Sequence, residues 1–301
     1  MRDRPFPDNR PMRVAFLGLG LIGGSVARAL RDDAASRDDE LVGWSPSGEG
    51  PRLALAAGVL DAVAADPAIA VEGAGLVVLA GPPLACIALV ERLGRELHAA
   101  LAPGVTVTDV ASTKAALTRA AERGGVPFVG GHPMAGRETS GFAASDATLF
   151  HDRPWVITEA VGGGDATAVR RLALACGARP VAVDAARHDA LVAAISHLPL
   201  LASVALVEAV AGAGDEPDRA WPAARELAAG GWRDTTRLAR GDARMGAEIA
   251  ATNAAALADV LRRYRDRLDA FIADLEAPGG ADADTLERRL ALAARRAAME
   301  P

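Results

Sequence analysis

The tightest constraint on this 301-residue chain is seven residues long. Gly18-Leu-Gly-Leu-Ile-Gly-Gly24 follows an apolar run, 13–17, and leads into a segment, 25–31, that reads as a helix. Glycines spaced Gly18-x-Gly20-x-x-Gly23 between a strand and a helix serve three different needs. Gly18 permits a tight turn, Gly20 lets a ligand approach the main chain, and Gly23 lets helix and strand pack without a Cβ between them. The first N–H groups of the helix, around Leu21 and Ile22, have no acceptors within it and face outward with partial positive charge, which suits a pyrophosphate. A turn needing positive φ is the plain reading of any single glycine. The flanking strand and helix favour a dinucleotide site holding Gly18, Gly20, Leu21, Ile22 and Gly23.

The rest of the chain falls into two styles. Apolar runs at 41–44, 76–80, 105–109 and 128–130 alternate with helical segments at 52–57, 84–100 and 114–123. This alternation predicts βαβ units and a parallel sheet covered on both faces. Two more strands, 155–158 and 180–183, flank a helix at 165–176. Beyond residue 188 helices dominate, at 191–211, 220–229, a long one at 247–277, and a last one at 284–298. The expected architecture is an α/β Rossmann-type domain, 1–184, followed by an all-α domain, 185–301.

The end of the second strand bears on the choice of dinucleotide. An Asp or Glu there would hold the ribose hydroxyls, but Ser45 occupies the position, with Ser47 and Arg52 nearby. Without that carboxylate a 2′-phosphate meets no repulsion, so NAD and NADP both stay open, and Ser45 is also a natural turn residue.

Composition narrows the remaining classes. Half of the residues are hydrophobic and 24% charged, which excludes a disordered chain. The net charge of −6 and the lack of any Lys/Arg block argue against nucleic acid as a partner. Cys86 and Cys176 form neither a disulfide framework nor a metal-site spacing, so a reducing, cytoplasmic setting without a metal is expected. Residues 1–13 are polar and do not read as a signal peptide. No run of about 20 apolar residues is free of Gly, Pro or charge, so no membrane span is expected.

Three segments carry more chemistry than a loop needs. They are Asp109-Val-Ala-Ser-Thr-Lys114, Gly131-His-Pro-Met-Ala-Gly-Arg-Glu-Thr-Ser-Gly141, and, split over the helical part, Ser196-His-Leu-Pro199 with Gly231-Trp-Arg-Asp-Thr-Thr-Arg237. The first two follow sheet strands, where ligands bind in open α/β folds. In this combination and order the chain resembles the prephenate and arogenate dehydrogenase family of tyrosine biosynthesis, over about residues 14–277. The resemblance implies an NAD- or NADP-dependent oxidative decarboxylation of a small-molecule substrate, prephenate or arogenate, and a homodimer formed through the helical domain. It makes His132 the catalytic histidine and Ser112 the serine that assists it. It places Arg237 on a substrate carboxylate and puts His197, Glu138 and Lys114, the chain's only lysine, at further substrate positions.

The chemistry stands beside the analogy. Taking hydride from a carbinol carbon needs a base for the hydroxyl proton, and a neutral imidazole suits that near neutral pH. Arginine offers a planar fork to a carboxylate. Plainer readings exist for each residue: His132 as a loop residue before proline, His197 as a core histidine, Ser112 or Thr113 as a helix cap. His98, His151 and His188 match nothing in the family and are expected on the surface, and Asn253 either bridges to a buried polar group or faces water. Leu200, where many prephenate-type members carry a second histidine, and Met245-Gly246 resemble arogenate-preferring members, while Glu138 resembles the prephenate type. A β-hydroxyacid dehydrogenase would use a lysine in the helical part, and none follows Lys114. A non-catalytic dinucleotide-binding protein would have no use for His132, Ser112 and Arg237 together.

Overall fold

Side chains on successive strand positions point to opposite faces, so a strand that is apolar throughout must be covered twice. Val14 and Phe16 enter one hydrophobic core, whereas Ala15 and Leu17 enter another. The same division separates Leu76 and Val78 from Val77 and Leu79. A computed structural model describes residues 11–137, 139–278 and 280–299. Its eight strands are β1 (Arg13–Leu17), β2 (Glu40–Trp44), β3 (Ala62–Val63), β4 (Leu76–Leu79), β5 (Thr106–Asp109), β6 (Phe128–Pro133), β7 (Pro154–Val161) and β8 (Arg179–Ala182).

These strands form one sheet in the order β3-β2-β1-β4-β5-β6-β7-β8. All neighbours are parallel except β6 and β7. The two-residue β3 and the helix Pro67–Val71, capped by Asp66, add to the elements expected from periodicity. Both are too short for a hydrophobic period to reveal. The strand order rises outward on both sides of the β1–β4 pair, so the chain reverses direction there and opens a crevice beyond the strands' carboxyl ends.

By contact the chain divides into Met1–Ala254 and Ala255–Pro301. The first unit continues past the change in element type at residue 184. Its helices Ala185–Val192 and Leu198–Ala211 are joined by a π-helical turn, Ala193–His197. Helix Ala243–Thr252 is tied to the start of helix Pro83–Arg95, where Glu248 Oε2 accepts the Leu84 N–H at 3.0 Å. The expected long helix from 247 to 277 is in fact interrupted. Asn253 leaves helical geometry (φ −123°, ψ 28°), and a new helix, Ala254–Leu275, begins after it. Thr252 assists the break by bonding back to the Glu248 and Ile249 carbonyls. In the second unit, the last helix, Ala283–Ala297, has its Arg289 bonded to Asp274 at 2.6 Å and stacked on Phe271.

The continuous stretch Ala185–Ala211 is long and apolar enough, by length and composition, to cross a membrane, and 22% of its most apolar window is buried. A search for uninterrupted apolar runs misses it because Ser196, His197 and Pro199 break the run without breaking the helix.

Candidate active site

The glycine loop joins β1 to helix Leu21–Asp32. Gly18 has φ +106°, and a Cβ there would lie 2.6 Å from the Ala80 carbonyl oxygen. At Gly23 a Cβ would lie 2.8 Å from both the Ala80 Cβ and the Gly18 carbonyl oxygen. Gly20 differs from both: nothing stands within 4 Å of its would-be Cβ, so the space beside it is open. The helix begins at Gly20 without a side-chain cap. Leu21 is buried and Ile22 packs on the core, so their contribution to the cradle is main-chain N–H rather than side chain. This arrangement fits a dinucleotide pyrophosphate, with bare backbone, open space and a helix N-terminus in one place.

Ser45 ends β2 in a turn, where its carbonyl and its hydroxyl both accept the Gly48 N–H, at 3.0 and 3.2 Å. Arg52, one helical turn further on, folds back over that turn: a Cβ on Gly48 would lie 2.7 Å from Arg52 Nη1. The start of this helix touches the glycine loop, since a Cβ on Gly50 would collide with the Leu19 carbonyl oxygen.

His132 is not in a loop. β6 runs through Pro133, and His132 pairs with Val156 of β7 just beyond a register shift between Val129 and Gly131. Such a shift re-aims the side chains that follow it. Asp109, at the end of β5, fixes this place by accepting the N–H groups of Gly131 at 3.1 Å and Ala111 at 2.9 Å. Its carboxylate also holds the Lys114 ammonium. Contrary to the expectation of a substrate contact, Lys114 is fully buried and committed to Asp109, so it holds the loop together.

His188, expected on the surface, is 1% exposed. Its Nε2 lies 2.9 Å from His132 Nδ1, and its Nδ1 lies 2.8 Å from Asp189 Oδ1. Asp189 also accepts the N–H groups of Lys114 (2.7 Å) and Ala115 (2.9 Å), so it caps helix Ala115–Gly124 from another element. Neither Ser112 nor Thr113 performs that capping. Asn253 bridges to buried groups, donating to the Asp189 carbonyl at 2.8 Å and meeting His197 Nδ1 at 3.1 Å. His197 is buried and its Nε2 has no partner among the described residues.

Electrostatics keep both of the predicted histidines neutral. Burial, reinforced by the Lys114 charge and by His188 and His197, pushes His132 well below the usual imidazole range. Burial lowers His197 to about 4, with Asp189 opposing and His188 adding to the shift. For Asp189 burial acts upward, but bonds from His188 and from the Lys114 and Ala115 amides outweigh it and leave the carboxyl below its ordinary value.

The remaining predicted residues are Ser112, Arg237 and Glu138. Ser112 is half-buried after β5 and forms no hydrogen bond to His132 among the described residues. Arg237 is exposed between helix Gly230–Thr235 and the turn Leu238–Arg240. That segment is anchored where Ser203 accepts the Ala239 N–H at 3.1 Å. Glu138 lies outside the described residues. Sequence reading missed His188 and Asp189, although Ala185, His188, Asp189 and Val192 form one buried face at helical spacing. Cys86 and Cys176 are buried in different cores, and burial pushes the Cys86 thiol up to about 12.

Comparison with known proteins gives the family. The family model for the prephenate dehydrogenase nucleotide-binding domain matches residues 26–182, and that for the prephenate dehydrogenase dimerization domain matches residues 184–292. A cyclohexadienyl dehydrogenase of Zymomonas mobilis is 33% identical over 87% of this chain and 86% of its own length. The crystal structure of Synechocystis arogenate dehydrogenase superposes with a TM-score of 0.72 at 33% identity, covering 87% of this chain and 91% of that one. Prephenate dehydrogenase from A. aeolicus, solved with hydroxyphenyl propionate and NAD+, shares the fold at a TM-score of 0.81 and 23% identity, over 98% of this chain and 100% of that one. With both of its family models in sequence and relatives matched over most of their length, this chain belongs to the prephenate dehydrogenase family.

Proposed function

We propose that the protein catalyses the oxidative decarboxylation of prephenate to 4-hydroxyphenylpyruvate with NAD or NADP as hydride acceptor. The observation that carries this reading is a neutral histidine, His132, near the carboxyl end of a sheet strand whose sheet also presents an open glycine cradle. When bound, the nicotinamide supplies an acceptor for the hydride from the carbinol carbon. Gly18, Gly20 and Gly23 and the N–H groups of Leu21 and Ile22 would hold the pyrophosphate, and Ser45 with Arg52 would face the adenosine ribose.

His132 takes the proton of the substrate hydroxyl at Nε2, because Nδ1 is engaged by His188. Ser112, just after β5, the strand that pairs with β6, assists His132. Arg237 holds a carboxylate in its planar fork, and His197 and Glu138 contact the rest of the substrate. Loss of the ring carboxylate as carbon dioxide then restores aromaticity and draws the reaction forward. Arogenate is the second reading, favoured by Leu200 where many prephenate-type members have a histidine. The two substrates differ by an amino group in place of a keto oxygen, so a single contact can decide between them.

The helical part would form a homodimer. Ile195 and Leu191 on the Ala185–Ala211 stretch are 68% and 48% exposed, and burying such an apolar face against a second copy satisfies it without a membrane. A cytoplasmic setting fits the two free thiols. The deciding experiment incubates purified protein with prephenate or arogenate and NAD or NADP in all four pairings and follows the absorbance of reduced nicotinamide. Prephenate turnover is expected; silence in every pairing overturns the reading, and turnover of arogenate alone replaces it with the second.

A further inference from the structure

Asp189 is anchored independently of any histidine. Its carboxylate accepts two main-chain N–H groups at the start of helix Ala115–Gly124, and its own carbonyl accepts Asn253 Nδ2. Two branches of hydrogen bonds leave this one residue, and each ends on a histidine predicted to meet the substrate.

Follow the first branch by donors and acceptors. An ionised carboxylate only accepts, so the His188 Nδ1 that lies 2.8 Å from Asp189 Oδ1 carries a proton. In the one-proton form of the ring, His188 then has its lone pair on Nε2. His132 Nδ1, 2.9 Å from that atom, must be the donor, which leaves the His132 lone pair on Nε2.

The second branch ends the opposite way. The Asp189 carbonyl can only accept, which fixes the Asn253 side chain with its NH2 toward both neighbours. That NH2 donates to His197 Nδ1 at 3.1 Å, so the proton of neutral His197 sits on Nε2. This N–H is buried and meets no acceptor among the described residues. A buried donor without a partner is costly unless a ligand supplies one.

We propose that His188, Asp189 and Asn253 are positioning residues that hold two active-site histidines in opposite tautomers, His132 accepting at Nε2 and His197 donating at Nε2. The arrangement prepares one ring to take a hydroxyl proton and the other to bond an acceptor oxygen of the substrate. The tautomers themselves are a property of the protein alone. Their use in turnover rests on the reading of His132 as the base.

The test begins with nitrogen-15 spectroscopy of the full chain labelled in its histidine rings, at neutral pH and without substrate. Signals are assigned by their loss in His132→Gln and His197→Gln. The expected result is a proton on Nδ1 alone for His132 and on Nε2 alone for His197; a reversed or averaged tautomer at either ring overturns the proposal. The tautomers are read in the unaltered protein, and the two variants serve only to assign its signals.

Kinetics supply the second arm. His188→Phe should lower kcat by roughly 10²-fold with substrate KM within about twofold, and free His132 to populate both tautomers. His188→Gln, whose amide oxygen can accept from His132 Nδ1, should recover about tenfold of that loss. Asn253→Leu should average the His197 tautomer and raise KM more than it lowers kcat. Full kcat in His188→Phe with an unchanged His132 tautomer overturns the role of the relay. A protein that shows both predicted tautomers yet turns over no substrate contradicts the proposed reaction instead, so the two failures are distinct.

Discussion

At the glycine loop a binding place is made by what is missing, since Gly18, Gly20 and Gly23 leave room that any side chain would fill or bend. The histidine cluster is made by what is added: residues 114–115, 132, 188–189, 197 and 253 meet through hydrogen bonds across separate elements. The first region is specified within seven residues and needs only a strand and a helix beside it. The second exists only when the helices after β8 have docked on the sheet. One region is therefore sensitive to size and the other to the direction of its hydrogen bonds.

The sharpest way to separate them is to remove chemistry without changing shape. His132→Asn is expected to fold and to bind dinucleotide normally while losing about 10²–10⁴ in kcat. Near-normal kcat would remove His132 from the reaction and leave the cluster as structure only.

Two glycine substitutions test the other side. Gly18→Ala should lower stability by about 1–3 kcal/mol, because φ +106° and a contact at 2.6 Å both oppose a Cβ. Gly20→Ala, into open space, should leave the melting temperature nearly unchanged and weaken dinucleotide binding by roughly tenfold, about 1.4 kcal/mol. Denaturant titration and fluorescence of bound reduced nicotinamide read the two effects apart. Equal stability loss in both variants would mean that Gly20 is structural as well.

A smaller effect is expected at Ser45. The Arg52 guanidinium beside this turn gives a 2′-phosphate a positive partner, so NADP should be used at least comparably to NAD. Ser45→Asp should shift the ratio of kcat/KM values toward NAD by about tenfold, mainly by repelling NADP. Strong rejection of NADP by the unaltered protein would reduce Ser45 to a turn residue.

A last prediction concerns acid. His197 titrates at about 4 in the folded chain against an ordinary value of 6.5. Between those values the unfolded chain holds more protons, so stability is fully present above pH 6.5 and declines as pH falls toward 4. Melting temperatures measured across that window should drop, and His197→Gln should flatten the slope. An unchanged slope would assign the acid sensitivity elsewhere.

These contrasts also explain what could be read from the chain alone. Strands β1, β2, β4 and β5 and the helices between them announce themselves by apolar runs and periodicity, and the glycine motif has a fixed local spacing. Lys114 was legible as unusual but not as buried, because its partner Asp109 is fixed only when β5 and β6 lie side by side. His188 sits in the polar run Arg187-His188-Asp189, and only the helical spacing to Ala185 and Val192 marks its face as inward. The break at Asn253 left no Pro or Gly behind it, and the Asn253 side chain bonds instead to a residue 64 positions earlier.

One carboxylate thus belongs to two structures, the end of helix Ala115–Gly124 and the bond network behind the histidines. On warming, the network cannot loosen at Asp189 without exposing the helix's first amides, and the helix cannot fray there without releasing the rings. Thermal inactivation and thermal unfolding should accordingly trace a single curve. On that expectation, heating should produce no folded but idle form.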